Sequence, residues 1–362
     1  MVLKKVPKET NSNIAYQHVI FTAFPRLYAI TECKLQDYFL VMAIIITSLI
    51  FDKALSSIDA EPAADNNPRN MLIPSFNIAA AGDWDCNSNT EETVRNILNK
   101  DPELTIGLGD YVYNEKSADC WIGKIEPLKE IIKIVVGNHE IESPTILNQI
   151  IDYLGIDYFG ENKQQYYYSF DFHNVHFIVM TDYEQHSSDE MPHIYQKGSE
   201  QYNFVKNDLA KSVVNPEIEW TIVSRHAHEY ASTQGETIPA VGNWSKIYHP
   251  LFGEHNVDLV LQGHEHNYQR TYPLEYNNGN PDKPTVTDIN RNNYSDPTGQ
   301  IFVTVGTAGA QLRSLDGSTP YTVTQHDGFG FLNIVITNRG KTLNATFVAN
   351  DGSIKDQFII TK

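Results

Sequence analysis

From Ser75 onward, short apolar runs alternate with stretches of helical period. Residues 76–81, 104–108 and 131–136 each read as a strand, because a short continuous apolar run suits a strand covered on both faces. Between the first two, residues 90–98 put Thr93, Val94, Ile97 and Leu98 on one helical face. Asn89 or Thr90 can cap that helix, and Glu91 and Glu92 suit its positive end. Residues 145–154 predict a second helix, ended by Gly155. Residues 166–172 and 175–181 flank His173-Asn174 as a hairpin. A helix over 201–213, strands over 219–223 and 257–261, and a short helix over 248–255 follow. The tail is β-rich over 301–305, 331–337, 343–349 and 357–361, with Asn350-Asp351-Gly352 as a tight turn. Strand–helix alternation followed by antiparallel strands predicts one α/β domain with mixed sheets and helices outside.

The N-terminal part differs. Residues 38–51 are a run of 14 without a charge. A bilayer span wants about 20 residues, so the run better suits a signal h-region. Lys4, Lys5, Lys8, Arg26 and Lys34 make a weakly basic flank, and residues 56–70, with Pro62 and Pro68, read as a linker. No A-x-A cleavage site follows, so a cleaved signal, an uncleaved anchor and a buried core helix all remain open. A basic flank held inside would put the rest of the chain outside the membrane, secreted or anchored through residues 38–51. The expected organisation is residues 1–70 as targeting segment and linker, and 71–362 as the catalytic domain. Sequons at Asn243, Asn293 and Asn344 fit that compartment weakly. Cys33 precedes the apolar run, and Cys86 and Cys120 could pair in an oxidising environment.

Charge adds a constraint. Of 362 residues, 27 are Lys or Arg and 45 Asp or Glu, a formal charge of −18. Residues 1–70 sum to zero, so the excess lies in 71–362. That argues against nucleic acid as a partner.

The chemistry sits in five loops, each an apolar run followed by metal-ligand side chains. They are Gly82-Asp83-Trp84-Asp85, Gly109-Asp110-Tyr111-Val112-Tyr113, Gly137-Asn138-His139-Glu140, Arg225-His226 and Gly263-His264-Glu265-His266. Each would sit at the C-terminal end of a strand, where open α/β sheets place their sites. A glycine there would permit the sharp turn that lifts the next side chain out of the sheet. Asp83 and Asp110 lie 27 residues apart, and Asp110 and Asn138 lie 28 apart. Those are strand–helix repeat lengths, so parallel neighbouring strands would bring three loops together. One Gly-Asp pair is usually just a turn; five such loops in order point to a two-metal site.

These motifs, across roughly residues 76–312, resemble the calcineurin-like metallophosphoesterases and, more narrowly, the purple acid phosphatases. The family pattern is GD-x-G, GD-x-x-Y, GNH-E/D, V-x-x-H and GH-x-H, and Tyr113 is the subfamily marker. The resemblance implies a four-layer α/β/β/α sandwich and hydrolysis of small phosphate monoesters by in-line attack of a metal-bound hydroxide. It also implies that Asp83, Tyr113 and His266 hold one metal, Asn138, His226 and His264 a second, and Asp110 bridges them. Phenolate and carboxylate suit Fe(III); imidazole and amide suit Fe(II), Zn(II) or Mn(II). His139 would stabilise transition-state charge or protonate the leaving group; otherwise it orients a carboxylate.

Three departures stand out. Asp85 replaces the usual Gly, and either reaches the first metal or stays solvated beside it. His228 replaces the usual Pro, and could serve the leaving group in place of a histidine absent from 231–236, or simply pack. The turn at 306–309 could approach substrate through backbone N–H groups, and Arg270 reads as a loop brace. A phosphodiesterase or nucleotidase on the same site, or a phosphate-binding surface protein without catalysis, are the competing expectations.

Overall fold

Residues Phe76–Ala81, Leu104–Gly107 and Ile132–Ile134 form strands β1, β2 and β3, which lie side by side and parallel. This is the arrangement that the spacing of Asp83, Asp110 and Asn138 predicts. The computed structural model describes residues 74–362 except 115–116, 158, 160–165, 183–195, 233–243 and 316. The apolar run 38–51, Cys33 and Asn243 lie outside the described residues.

Helix α1 (Ser88–Leu98) joins β1 to β2. Asn87 caps it, its side chain accepting from the N–H groups of Asn89 and Thr90, two positions ahead of the nearer expected cap. Thr93, Val94 and Ile97 are buried as the helical period predicts, but Leu98 is 38% exposed in the last turn. Helix α2 (Asp119–Ile125) precedes β3, and Cys120 in its first turn is bonded to Cys86 in the loop after β1. The short α3 (Asn138–Glu142) leaves β3 directly, and α4 (Pro144–Leu154) ends at Gly155 in the left-handed conformation, as expected.

Strands β4 (Tyr168–Phe172) and β5 (Val175–Val179) form the predicted hairpin, with His173 left-handed at its turn. Helix α5 (Glu200–Ser212) leads to β6 (Trp220–Ser224). Helices α6 (Trp244–Ile247) and α7 (His249–Glu254) lead to β7 (Leu259–Gln262). Strand β8 (Tyr268–Thr271) was not signalled by the pattern, because Gln269 and Arg270 interrupt it; both are buried in polar networks. Two short strands, β9 (Leu274–Glu275) and β10 (Thr285–Val286), pair apart from the main sheets. The remainder are β11 (Asn293–Ser295), β12 (Ile301–Val305), β13 (Thr322–His326), β14 (Gly330–Thr337), β15 (Thr342–Ala349) and β16 (Ile354–Thr361).

Two seven-stranded sheets result, ordered β11-β16-β15-β14-β1-β2-β3 and β13-β8-β12-β7-β6-β5-β4. Both mix parallel and antiparallel pairs. The second sheet sorts its side chains by the strand period of two. Phe177, Val179, Ile222, Leu259, Leu261, Ile301 and Val303 enter the core shared with the first sheet. Ile178, Val223, Val260 and Phe302 point the other way, against α5, α6 and α7. The fold is thus the α/β/β/α sandwich with mixed sheets. Among the described residues no helix is long and apolar enough to cross a membrane.

Candidate metal centre

All five loops leave strand ends on one side of the molecule: β1, β2 and β3 of the first sheet, β6 and β7 of the second. The backbone turns are made differently from the expectation. Asp83, Asp110 and His264 themselves take left-handed φ values of 60°, 51° and 68°. Gly137 does not, at φ −93°, and among Gly82, Gly109, Gly137 and Gly263 only Gly109 is left-handed. The glycines mainly supply room. A Cβ on Gly263 would lie 2.8 Å from the Leu108 carbonyl and 2.9 Å from Asp83 Oδ2. Loops from two sheets can meet only where one of them lacks a side chain.

The side chains converge from both sheets. Asp83 Oδ1 lies 3.0 Å from the Tyr113 hydroxyl and 3.3 Å from His266 Nε2. Asp110 Oδ2 lies 3.2 Å from the same hydroxyl and 3.1 Å from His226 Nε2, so its carboxylate stands between two groups. His264 Nδ1 is 3.2 Å from both Asn138 Oδ1 and His226 Nε2. The donor atoms of Asp110, His226 and His264 all lie within 4.8 Å of one another.

The chemistry of this set fits cations. His226 Nδ1 faces the Leu108 carbonyl at 2.7 Å, and His266 Nδ1 faces the Gln311 carbonyl at 2.7 Å. A carbonyl only accepts, so each Nδ1 carries the N–H, and in the neutral ring each Nε2 presents a lone pair to the cluster. Two lone pairs, two carboxylates and an amide oxygen therefore aim at a common space. Ligands about 2.0–2.1 Å from a tetrahedral ion stand roughly 3.3 Å apart, close to the spacings seen.

Electrostatics agree. Burial opposes a charge on His226, but the Asp110 carboxylate outweighs it and pushes the ring up to about 10. Burial likewise opposes ionisation of Asp110, yet His226 and His139 hold it well below the usual range. His264 is pulled down to about 4 by burial and by the charge on His226. Burial, then Asp83 and Asp110, keep Tyr113 protonated far above the usual phenol range. A cation here would displace the proton shared by Asp110 and His226, so its uptake would release a proton.

A calcineurin-like phosphoesterase family model matches residues 76–268, just over half of the chain. The chain belongs to the calcineurin-like phosphoesterase family. Its likeness within the family is to purple acid phosphatases. From Arabidopsis thaliana, probable inactive purple acid phosphatase 1 is 26% identical over 300 residues, covering 75% of this chain and 45% of the relative. Purple acid phosphatase 18 is 27% identical over 275 residues, covering 72% and 56%. The chain thus spans about half the length of these curated relatives. Among solved structures, purple acid phosphatase PPD1 from yellow lupin seeds shares the fold, with TM-score 0.63, 22% identity, and coverage of 80% of this chain and 54% of that one.

Against that family pattern, the three departures take definite places. Asp85 is left-handed at φ 75°, the conformation that suits the usual glycine and that Asp tolerates. Its carboxylate accepts from Cys86 N at 2.7 Å and Asn87 Nδ2 at 3.2 Å, turned toward its own loop. The ring of His228 stacks 5.7 Å from that of His264, and its Nδ1 is 3.6 Å from Glu265 Oε1. Burial, then the charges of His264 and Arg225, hold His228 down to about 3. His139 keeps a third of its side chain exposed, 4.2 Å from the Tyr113 ring, and its N–H donates to Asp110 Oδ1 at 3.0 Å. Arg270 lies away from the cluster, donating to Asp356 and to the Tyr294 hydroxyl and Arg291 carbonyl. Residues 306–309 bond backbone to backbone, Ala308 N with Gly82 O and Gly309 N with Asp83 O.

The sequence reading gave no role to two organising residues. Buried Glu140 accepts from the N–H groups of Asp110 (2.9 Å), Tyr111 (2.8 Å) and Gly137 (2.9 Å), tying two ligand loops together. Burial, then Asp110, push it up to about 7. Asp182 does the same for the His226 loop, accepting from the N–H of His226 (3.0 Å) and Ala227 (2.6 Å) and pairing with Arg225. Asp182 had a usable signal: like the ligands, it follows directly on an apolar strand.

Proposed function

We propose that residues 71–362 are a metal-dependent phosphoric ester hydrolase acting on small phosphate monoesters. The observation that carries this is the convergence of lone pairs and carboxylates from two sheets on one space, oriented by carbonyls behind them. Asp83, Tyr113 and His266 would hold one ion, Asn138, His226 and His264 the other, with Asp110 between. Two such ions supply Lewis acidity at a phosphoryl oxygen and water activated near neutral pH. The oxygen-rich first set suits Fe(III), and the nitrogen-rich second suits Fe(II), Zn(II) or Mn(II).

The chain's own groups do the rest. Asp110 fixes the two ligand sets relative to each other. His139, the more exposed of the nearby imidazoles outside the ligand set, would stabilise charge on the phosphoryl group and protonate the leaving oxygen. His228 would contact the leaving group rather than protonate it. Residues 1–70, with the run 38–51, would deliver this domain outside the cytoplasm, as secreted or anchored protein. N-terminal sequencing of the mature protein from the membrane and soluble fractions tests that last point.

The central test pairs metal analysis with turnover of nitrophenyl phosphate and bis-nitrophenyl phosphate. The monoester is expected to be the better substrate. Asp110→Asn and His264→Ala should each lose bound metal and roughly a hundredfold or more of activity together. Full turnover by either variant with its metal lost would overturn the mechanism, and preference for the diester would overturn the substrate class. Iron-loaded, oxidised protein should show a visible band that Tyr113→Phe abolishes.

A further inference from the structure

Beside the cluster lies a charged group that the hydrolytic chemistry does not use. Glu265 sits between two proposed ligands and is only 1% exposed. Its Oε1 is 3.6 Å from His228 Nδ1 and 3.5 Å from Arg313 Nη1. The path from the cluster outward is thus His264, His228, Glu265, Arg313. The root of Arg313 is fixed: its N–H donates to the His266 carbonyl at 3.0 Å, and Gln311, two residues before it, receives His266 Nδ1.

The guanidinium itself is presented outward. Two arginines reach His228 electrostatically. Arg225 is fully buried and paired with Asp182 and Glu229, whereas 41% of the Arg313 side chain is exposed. Its distance to Glu265 exceeds the ~3 Å of a committed N–H···O bond, so the carboxylate positions the fork without saturating it. Its main chain is bonded to the His266 carbonyl and its Nη1 lies 3.5 Å from Glu265, so the guanidinium stays beside the loop that carries His264 and His266. In a domain carrying the whole −18, a half-exposed guanidinium beside the His264–His266 loop is a local exception.

We propose that Arg313 is a specificity residue that binds a second anionic group, phosphate or carboxylate, carried on the leaving group. This rests on the hydrolytic reading above. The proposed metal ligands address the phosphoryl group that is transferred. Arg313 stands next to Glu265, which in turn stands next to His228, so it would meet a part of the substrate other than the transferred group. A guanidinium matches either anion with two parallel N–H bonds.

The test uses metal-loaded, full-length protein and three substrates: nitrophenyl phosphate, pyrophosphate and phosphoglycolate. Arg313→Gln should lower kcat/KM for at least one of the latter two about tenfold more than for nitrophenyl phosphate, mainly through KM, and Arg313→Lys should recover part of it. Which of the two responds identifies the second anion. Equal losses on all three substrates, or none, would overturn the proposal. Calorimetric titration of the same proteins with orthophosphate and with pyrophosphate or phosphoglycolate supplies an independent readout. Arginine-dependent preference for a doubly anionic ligand without any turnover would sink the hydrolytic reading and keep the subsite. Turnover without that preference would do the reverse.

Discussion

At the scale of single residues, the site is built on backbone conformations that L-amino acids avoid. Asp83, Asp110 and His264 all have left-handed φ, each costing about 1–2 kcal/mol that the surrounding bonds must offset. Glu140 provides such bonds to the Asp110 loop, and Asp83 Oδ2 accepts from the His264 N–H at 2.8 Å. Asp85 offers a clean test, because its strain and its hydrogen bonds pull in opposite directions. Asp85→Gly relieves the strain and loses the bonds, so its stability should stay within about 1 kcal/mol of the parent. Asp85→Ala keeps the strain and loses the bonds, and should be destabilised by roughly 1–2 kcal/mol in urea unfolding. Metal content should hold in both, and a loss of metal in Asp85→Ala would make Asp85 a ligand after all.

At the scale of elements, two ties outside the site hold helices to sheets. The Cys86–Cys120 bond joins the loop carrying Asp83 to the first turn of α2 across a sequence separation of 34. Closing a loop of that length stabilises by about 4 kcal/mol in the chain-entropy account, so Cys120→Ser should lose a comparable amount in non-reducing urea unfolding. Reductant should do the same to the parent and nothing to the variant. On the far edge of the second sheet, His176 of β5 lies 2.6 Å from Asp171 of β4 and 2.9 Å from Asp208 of α5. Burial disfavours its charge, but the hydrogen bonds to Asp208 and Asp171 outweigh that and raise its pKa. A raised histidine stabilises fully below its unfolded value of about 6.5, and that contribution fades as pH rises through the folded value. Asp208, held low despite burial by bonds to His176 and Ser169, loses its contribution only as pH falls through its own folded value. His176→Gln should therefore lower Tm more at pH 6 than at pH 9; an equal drop at both would refute the ion-pair account.

At the scale of the whole molecule, the site spans the seam between the two sheets. Asp83, Asp110, Tyr113 and Asn138 follow strands of the first; His226, His264 and His266 follow strands of the second. Any ion held by both sets ties the sheets together, so metal should raise global stability. At a free metal concentration a thousandfold above Kd the gain is about 4 kcal/mol. A chelator should lower Tm of the parent and leave Asp110→Asn unmoved. The acidity of the chain reads differently at this scale too, since −18 describes the outer surface while the seam gathers histidines and Arg313. The sequence by itself determined most of the strands, the parallel order of the first three and the residues proposed as donors, because apolar runs, repeat length and side-chain chemistry are local properties. Among strands of the two main sheets it missed β8, β11 and β13; the polar residues of β8 are buried by partners distant in sequence. It assigned the sharp turns to glycines, where the structure puts them in Asp83, Asp110 and His264. It assigned no role to Glu140, Asp182 and Glu265, whose parts in the structure consist of bonds and close approaches between loops. Only the packing of one sheet against the other decided those, because a carboxylate's partners depend on which backbone amides and cations tertiary contact brings within about 3 Å.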